Sequence, residues 1–255
     1  MQSTAQRRAE MLAFIRTHGK GDVNTFVRQY GVSAVTIRYD LNQLEKQGCV
    51  TRCYGGATLN AQFAFDRPLQ DKKQLYCDIK QRLGAYAAGL VQEGDTLILD
   101  SGSTTEQIAL HLAGKQSLTV MTNGINIAYH LANREHIRVM VAGSVMRPNS
   151  YSLHGSCGEA LLSSFRFNKL FLGVDGFDIL AGITTPHQGE ADINRKMIEA
   201  ASMVIAVTDS SKFNQQSFCL IARPEQLDML ITDRGIPDDY YQELSAAGVD
   251  IRLVD

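Results

Sequence analysis

Hydroxyl, glycine and aspartate residues follow one another in the segment ILDSGSTTEQ, residues 98–107. An apolar run ends at Asp100, and a helical pattern follows five small or hydroxylated residues: Ser101, Gly102, Ser103, Thr104 and Thr105. A strand that leads through such residues into a helix exposes backbone amides and hydroxyls at the helix N-terminus, where phosphate can bind. The same residue types cap many helices without a ligand, so the motif alone leaves both interpretations open.

Further polar residues follow the other predicted strands. They are Thr122, Asn123, Gly124, Arg147, His154 in YSLHG, Asp175 in GVDG and Lys212 in DSSKF. The carboxyl ends of parallel strands meet at one edge of a sheet, where ligands bind. The sequence therefore predicts a shared pocket for a phosphorylated polyol. His154 is a candidate for facing this pocket, and a plain surface position is the alternative for Lys212.

A second group of candidate residues lies in VSAVTIRYDLNQLEKQG, residues 32–48. Ser33 is a good helix N-cap, Gly48 ends the helix, and an apolar stripe runs along one side: Ala34, Ile37, Leu41 and Leu44. The opposite face presents Val35, Thr36, Arg38, Tyr39, Asn42 and Gln43. Such side chains can bond phosphate or base edges in a DNA groove. Asp40 cannot add DNA affinity, so we expect it to pair with a nearby arginine or backbone amide.

The neighbouring segments predict the domain that carries this helix. Two helical patterns precede it, with Met11, Leu12 and Ile15 in the first and Asp22 as the cap of the second. Two β-prone runs follow it around the turn at residues 54–56. This order predicts a winged helix-turn-helix in which Arg52 lies along the DNA backbone or minor groove. A three-helix interaction domain that does not bind DNA would show the same periodicity.

Charge and composition agree with a nucleic-acid module joined to a different module. Residues 1–60 hold eight basic and four acidic residues, whereas the rest of the chain holds 17 basic and 23 acidic residues. The chain contains no signal peptide and no apolar run long enough for a transmembrane helix, so a cytoplasmic protein without membrane contact is expected. The five cysteines form no CxxC pair, which predicts reduced thiols and no metal site.

The whole chain is predicted to be an α/β protein. Residues 1–59 form the winged helix-turn-helix, residues 60–75 with Pro68 form a linker, and residues 76–255 form a Rossmann-like, mostly parallel domain. Seven strands are predicted in this last part, at residues 95–100, 118–123, 137–143, 169–176, 203–209, 227–233 and 250–255.

These motifs together resemble the DeoR family of bacterial sugar-operon regulators. The first part of the resemblance rests on Ser33, Thr36, Ile37, Arg38, Asp40, Leu41, Gly55 and Gly56. The second rests on ILDSGSTT, TNG, GSVMR, LHG, LFLGVDG, GITT, the Glu190 region and DSSKF, and is closest in look to regulators of amino-sugar and hexitol operons. Three positions depart from the family pattern: Tyr39, Ser144 and His187.

The resemblance implies a sensor domain similar in fold to sugar-phosphate isomerases and deaminases. It implies an effector site lined by residues 100–105, 122–124, Asp175, Glu190 and Lys212. The expected function is a repressor of a carbohydrate operon that binds double-stranded operator DNA as a homo-oligomer, a dimer or tetramer. A phosphorylated sugar, amino sugar or hexitol would release it, and no cofactor is expected.

Two alternatives remain at this level. One is a sugar-phosphate isomerase or deaminase with an appended helical domain, for which Asp100, Asp175, Glu190 and His187 supply candidate acid and base groups. The other is an interaction module that does not bind DNA. The DNA-binding interpretation is favoured because a winged helix has no role in isomerisation.

Overall fold

The computed structural model describes residues 4–46, 50–59, 66–112 and 114–255. The chain divides into two compact units, the first up to Phe65 and the second from Asp66 to Asp255. Within the described residues, no helix is both long and apolar enough to cross a membrane.

The first unit contains three helices and three short strands. In chain order they are α1 (Thr4–His18), β1 (Lys20–Asp22), α2 (Val23–Tyr30), α3 (Ala34–Lys46), β2 (Val50–Cys53) and β3 (Gly56–Leu59). The predicted apolar stripes meet in one core, in which Met11, Ile15, Phe26, Ile37 and Leu41 are fully buried. The helices therefore form because each buries one face against the others.

Local capping sets the helix boundaries of this unit. The Asp22 carboxylate accepts a hydrogen bond from the Thr25 amide (2.9 Å) at the start of α2. Gly31 ends α2 with φ of 64°, in the left-handed region that glycine adopts without strain. The predicted end of α3 at Gly48 lies outside the described residues.

The predicted hairpin of β2 and β3 forms, and β1 joins it as a third strand. The sheet order is β1–β3–β2, and all pairs are antiparallel. Strand β1 has only three residues, too few for an alternating pattern to reveal it. A Cβ at Gly56 would lie 2.3 Å from the Gly21 carbonyl oxygen, so glycine is required where β3 pairs closely with β1.

The second unit is an α/β domain. Its helices are α4 (Leu69–Gln74), α5 (Cys77–Gly89), α6 (Ser103–His111), α7 (Ile125–Leu131), α8 (Ser156–Ser163), α9 (Gln188–Ala200) and α10 (Asp238–Ala246). Its strands are β4 (Thr96–Leu99), β5 (Leu118–Thr122), β6 (Ile137–Val141), β7 (Val145–Arg147), β8 (Ser152–His154), β9 (Lys169–Gly173), β10 (Gly176–Asp178), β11 (Gly182–Thr185), β12 (Val204–Val207), β13 (Cys219–Ala222), β14 (Met229–Asp233) and β15 (Asp250–Val254).

Seven of these strands form one parallel sheet in the order β15–β14–β12–β9–β4–β5–β6. They are the seven strands that the sequence predicted. Alternate residues bury on opposite faces: Leu97 and Leu99 pack with α5 and α6, whereas Ile98 packs with α9. Apolar residues therefore occupy both faces, and the predicted mostly parallel α/β fold is confirmed.

Two smaller sheets were not predicted. Strands β7 and β8 form a hairpin, and β10, β11 and β13 form a three-stranded antiparallel sheet. These strands have three or four residues each, which is too short for an alternating pattern to distinguish them from loops.

The segment after Phe65 corrects the predicted linker. Residues 66–75 belong to the second unit and contain helix α4, in which Leu69 is buried. Pro68, which suggested a connection, instead precedes the first turn of this helix. A helix of six residues is too short for a periodic pattern. The other predicted linker residues, 60–65, lie outside the described part of the chain.

Candidate DNA-binding helix and sheet-edge pocket

The face of α3 opposite the core is open to solvent. Ser33, Arg38 and Asn42 are exposed, and Val35 and Tyr39 expose 73% and 58% of their surface. Thr36 is half-buried. A helix of 13 residues with this polar face has the length and the side chains for a major groove.

Ser33 and Thr36 also form hydrogen bonds that cap the start of α3. The Thr36 amide donates to Ser33 Oγ (3.2 Å), and the two hydroxyl oxygens lie 3.0 Å apart. Ser33 is therefore the N-cap that the sequence predicted, and its hydroxyl already accepts from the helix.

Asp40 is fully buried and holds two arginines of α1. Arg7 Nε lies 2.7 Å from Asp40 Oδ2, and Arg8 Nε lies 2.7 Å from Asp40 Oδ1. This confirms the expected arginine partner. The Arg8 guanidinium carbon also lies 5.6 Å from the centre of the Tyr39 ring, a cation–π arrangement. Tyr39 is therefore positioned by a residue of α1, a contact that the sequence did not reveal.

Arg52 and the wing turn complete this surface. Glu45 Oε1 accepts a hydrogen bond from the Arg52 amide (2.8 Å), which ties β2 to α3. Arg52 is half-buried, whereas Tyr54 at the tip of the wing is fully exposed. Tyr54 was not among the predicted site residues, although its place in the turn could have suggested it.

The second unit has a cavity at the carboxyl edge of its parallel sheet, here called the sheet-edge pocket. Eight predicted effector residues line it: Asp100, Ser101, Gly102, Ser103, Thr104, Asp175, Glu190 and Lys212. Five further polar residues line it that the sequence prediction did not include as site residues: Lys72, Lys80, Ser150, Thr185 and Asn194.

The N-terminus of α6 forms one wall of this pocket. No side chain caps the helix at Gly102, so the amides of its first turn have no such partner in the described structure. The preceding Ser101 amide donates to Asn123 Oδ1 (2.8 Å), which fixes the loop before the helix. The wall therefore presents backbone donors and the partial positive charge of a helix N-terminus.

Several predicted residues support this wall without lining the pocket. Thr105 is buried and its hydroxyl donates to the Gly102 carbonyl oxygen (3.3 Å). Thr122 Oγ1 accepts from the Gly124 amide (3.0 Å), and Asn123 Nδ2 donates to the Leu153 carbonyl oxygen (3.4 Å). These polar groups are used within the protein, so residues 122–124 hold the loops in place.

Asp175 and Lys72 form an ion pair in the pocket wall. Lys72 Nζ lies 2.5 Å from Asp175 Oδ1, and the Thr185 hydroxyl donates to Asp175 Oδ2 (3.3 Å). Burial opposes ionisation of Asp175, but Lys72 and Lys212 lower its pKa below the ordinary value. Burial likewise opposes the charge on Lys72, yet Asp175 raises the Lys72 pKa. Both directions indicate an ionised pair.

Glu190 accepts hydrogen bonds on both carboxylate oxygens. Ser150 (2.6 Å) and Ser152 (2.5 Å) donate to Oε1, and the Thr185 hydroxyl oxygen lies 3.3 Å from Oε2, so its single proton is shared between Glu190 and Asp175. Arg147 Nη1 also donates to Oε2 (2.8 Å).

Arg147 forms a further ion pair with Asp66. The predicted role of Arg147 as a pocket residue therefore needs correction. Its guanidinium is bonded to the carboxylates of Asp66 and Glu190, and Arg147 is not among the residues that line the pocket.

Asp100 is the most deeply buried carboxyl group of the pocket. Its Oδ2 accepts from the Gly173 amide (3.1 Å), and Asn194, with its amide nitrogen turned towards it, donates to Oδ1 (3.1 Å). Burial raises the pKa of Asp100 well above its ordinary value, and the nearby carboxylates of Glu190 and Asp175 add to this. Burial and these neighbours therefore make the uncharged form of Asp100 more accessible than it is in water.

The positive charge of the pocket depends on the lysines that line it. Lys80 is buried, and burial lowers its pKa to about 8, although nearby Asp209 opposes this. Lys212 also lines the cavity, and its ammonium group has no ion-pair partner within the described residues. Because Asp175 and Glu190 are already paired, the ammonium of Lys212 is available in this wall for an anion.

The predicted position of His154 at the pocket needs correction. Its ring packs against His187, with centroids 5.0 Å apart, and neither residue is among those lining the pocket. A Cβ at Gly189 would lie 2.7 Å from His154 Nδ1, so the start of α9 closely covers this ring.

No cluster of metal-ligating side chains occurs within the described residues. The four cysteines in that part of the chain are free thiols, and Cys49 lies outside it.

The comparisons with known proteins cover both units. Residues 7–63 match the DeoR-like helix-turn-helix domain, and residues 77–234 match the DeoR C terminal sensor domain. The chain is 40% identical over 253 residues to a protein of Escherichia coli O157:H7 named for transcriptional repression of the aga operon, covering 98% of this chain and 94% of that protein.

Two other similarities differ in strength. The chain is 33% identical to the HTH-type transcriptional repressor GlcR of Bacillus subtilis strain 168, covering 94% of this chain and 92% of that protein. Ribose 5-phosphate isomerase A of Methanocaldococcus jannaschii covers 53% of this chain and 54% of its own, with 15% identity and a TM-score of 0.40. By its two domain matches and its full-length relatives, this chain belongs to the DeoR family of transcriptional regulators.

Proposed function

We propose that this regulator represses a carbohydrate uptake or catabolism operon and that a phosphorylated sugar, amino sugar or hexitol releases it from operator DNA. The observation that carries the proposal is the sheet-edge pocket. There the N-terminus of α6, which has no side-chain cap, and the ammonium of Lys212, which has no ion-pair partner within the described residues, line the same cavity. Backbone amides and a lysine are the donors that phosphate prefers.

The DNA-binding part of the proposal concerns the exposed face of α3. Arg38 and Asn42 are free to bond base edges or phosphates in the major groove, and Arg52 lies at the wing. Because affinity for DNA phosphates depends on released counterions, operator binding should fall steeply as salt rises. Failure to bind the DNA upstream of its own gene at low salt would instead favour an interaction module.

The release mechanism requires coupling between the two ligands. We propose a cytoplasmic homo-oligomer, a dimer or tetramer, whose winged helices occupy repeated half-sites, so that several weak contacts act together. If the sugar phosphate lowers operator affinity, then operator DNA must lower sugar-phosphate affinity by the same factor. Equal sugar-phosphate affinity with and without DNA would contradict this coupling.

A sugar-phosphate isomerase or deaminase is less consistent with the pocket chemistry. An enzymatic base must be free to accept a proton from the substrate. Asp175 is paired with Lys72, and Glu190 already accepts hydrogen bonds from Arg147, Ser150 and Ser152. Without a bound ligand, both carboxylates are therefore engaged within the protein, which is unfavourable for a base, and no cofactor is proposed. Rapid turnover of any sugar phosphate by the purified protein would overturn this part.

The decisive experiment is a thermal-shift screen of the full-length protein. The panel contains hexose, hexitol and amino-sugar phosphates, each beside its unphosphorylated counterpart. A ligand that binds only the folded state raises the melting temperature. We expect stabilisation by at least one phosphorylated compound and none by its counterpart. Arg38→Ala is the matched control, because it should weaken operator binding and leave ligand stabilisation unchanged.

A further inference from the structure

Helix α4 is held to the second unit by a set of long-range polar contacts. Asp66, just before it, pairs with Arg147. The Leu69 amide donates to the Asn149 carbonyl oxygen (2.8 Å), and Lys73 Nζ lies 2.8 Å from Glu106 Oε1. An isolated helix of six residues is not stable in water. These contacts therefore decide whether α4 keeps its position.

The C-terminal end of α4 depends on Lys80. Its buried ammonium donates to the carbonyl oxygens of Lys72 (2.5 Å) and Leu75 (2.8 Å). A cation at this place satisfies carbonyl groups that the helix leaves unpaired and matches its negative end. Lys80 also lines the sheet-edge pocket, so the end of α4 is supported from within the cavity wall.

Three ion pairs hold α4 and the adjoining Asp66 within the described residues, and one of them, Lys72 with Asp175, has both of its members in the lining of the pocket. Lys72 and Asp175 both line the cavity, and their side chains expose 15% and 20% of their surface. Lys73 and Glu106 are not among the lining residues. An anion that enters the pocket can therefore reach the Lys72 ammonium, but it has no access to the Lys73 pair.

We propose that Lys72 is an additional anion-binding residue of the sheet-edge pocket, and that a bound phosphate takes its ammonium from Asp175 and thereby loosens helix α4. The inference rests on the proposed function, because it assumes that the pocket binds a phosphorylated ligand. It identifies Lys72 as the residue through which ligand binding loosens α4, the helix that follows the first unit in the chain.

Electrostatics favour this exchange of partners. A phosphate group carries close to two negative charges at neutral pH, whereas Asp175 carries one, so Lys72 gains by moving its ammonium towards the ligand. Asp175 does not become isolated. The Thr185 hydroxyl still donates to it, and Lys212 is close enough to lower its pKa.

The direct test is hydrogen exchange of the full-length protein with and without inorganic phosphate, at matched ionic strength with sodium chloride. Loss of a partly buried ion pair should raise the opening of a local helix by about threefold. We therefore expect phosphate to speed exchange of the amides in residues 69–74, while amides of α10 stay unchanged. Stabilisation of the whole protein by phosphate is measured in parallel.

Four variants test the direction of the proposed effect. Asp175→Asn removes the competitor for Lys72, so it should bind phosphate at least about threefold more tightly and open α4 without ligand. Lys72→Met should bind phosphate about tenfold more weakly and show no phosphate-dependent exchange in α4. Lys73→Met is the matched control, with an unchanged phosphate affinity and an intact response. Lys72→Met combined with Asp175→Asn avoids an unpaired buried charge and should behave as Lys72→Met does.

The outcomes separate the two proposals. If phosphate stabilises the protein but exchange in residues 69–74 stays constant, or if Asp175→Asn binds phosphate more weakly, then the role of Lys72 is wrong and the pocket remains an anion site. If phosphate and the sugar phosphates all leave the protein unstabilised, both proposals are wrong.

Discussion

Each unit of this regulator contains an aspartate held in an ion pair, fully buried at Asp40 and half-buried at Asp175, and the two pairs differ in their surroundings. Asp40 in the first unit is fully buried and bonded on both oxygens by Arg7 and Arg8. Asp175 in the second unit is bonded by the single ammonium of Lys72 and lies in the wall of an open cavity. Arginine holds a carboxylate with a planar set of donors, whereas lysine offers a compact charge that moves easily.

The difference indicates two uses of a buried ion pair. The two arginines that bond Asp40 both lie on α1, so this ion pair holds α3 against α1. Around Asp175, a second lysine and a cavity large enough to admit an anion stand beside the pair. A pair without access to solvent supports the fold, and a pair in a cavity wall is available for exchange with a ligand.

Asp40→Ala should have the largest effect of the changes that test this comparison. It leaves two arginines without their buried partner, and we expect the first unit to lose about 3 kcal/mol of unfolding free energy. Hydrogen exchange of amides in α3 measures this loss. Asp192→Asn is the control, because its pair with Arg195 is largely exposed and should contribute less than about 1 kcal/mol. An equal effect of both variants would contradict the proposed role of Asp40.

Lys212→Ala should affect the ligand and leave the first unit unchanged. Removing a charged donor from the pocket should weaken phosphate binding by about 2 kcal/mol, or roughly thirtyfold. The variant should bind operator DNA normally and no longer respond to the sugar phosphate. Arg134→Ala, an exposed arginine outside the pocket, serves as the control. Normal release of Lys212→Ala from DNA by the ligand would show that Lys212 is a plain surface lysine.

Substitutions at Tyr39 test the contact between α1 and α3, and their expected effect on stability is smaller. Tyr39→Phe keeps the ring below Arg8 and should retain stability, whereas Tyr39→Ala should lose about 0.5–1 kcal/mol of unfolding free energy. Tyr39→Arg would bring a second guanidinium towards Arg8. Selecting operator sequences with the wild type, Tyr39→Arg and Tyr39→Asn measures whether this position changes DNA preference. Identical preferences in all three would exclude such a role.

The pH dependence of phosphate binding is the smallest predicted effect. Burial lowers the pKa of Lys80 to about 8, so this lysine loses its proton as pH rises through that value. A bound anion favours the charged form, and phosphate affinity should therefore fall by about twofold to threefold between about pH 7 and pH 9. Calorimetric titration at both pH values measures the change. Lys80→Met should remove the dependence, and its persistence in this variant would assign it to another group.

Much of the architecture could be predicted from sequence because it repeats over several residues. Alternating or continuous apolar runs indicated all seven strands of the parallel sheet, and caps such as Asp22 and Ser33 marked the helix starts. The short elements were missed. Strand β1 and helix α4 are too brief to show a period, and only contacts with distant parts of the chain stabilise them.

The pocket was predicted in outline and corrected in detail. Polar residues at the strand ends indicated the correct edge of the sheet, and Asp100, Asp175 and Lys212 line the cavity there. Spacing cannot show which way a side chain points. Arg147 and His154 also lie at strand ends, but Arg147 is bonded by Asp66 and Glu190, His154 packs against His187, and neither residue lines the cavity.

The sequence alone determined the two folded units, the polar face of α3 and the sheet edge where a ligand would bind, because these depend on local periodicity and on the ends of strands. Only the tertiary structure decided which charges meet. Lys72 and Asp175 are 103 positions apart in the chain, and Arg8 lies 32 positions from Asp40. Such pairs form only after the helices and strands have packed, since packing brings the two side chains together and removes the water between them.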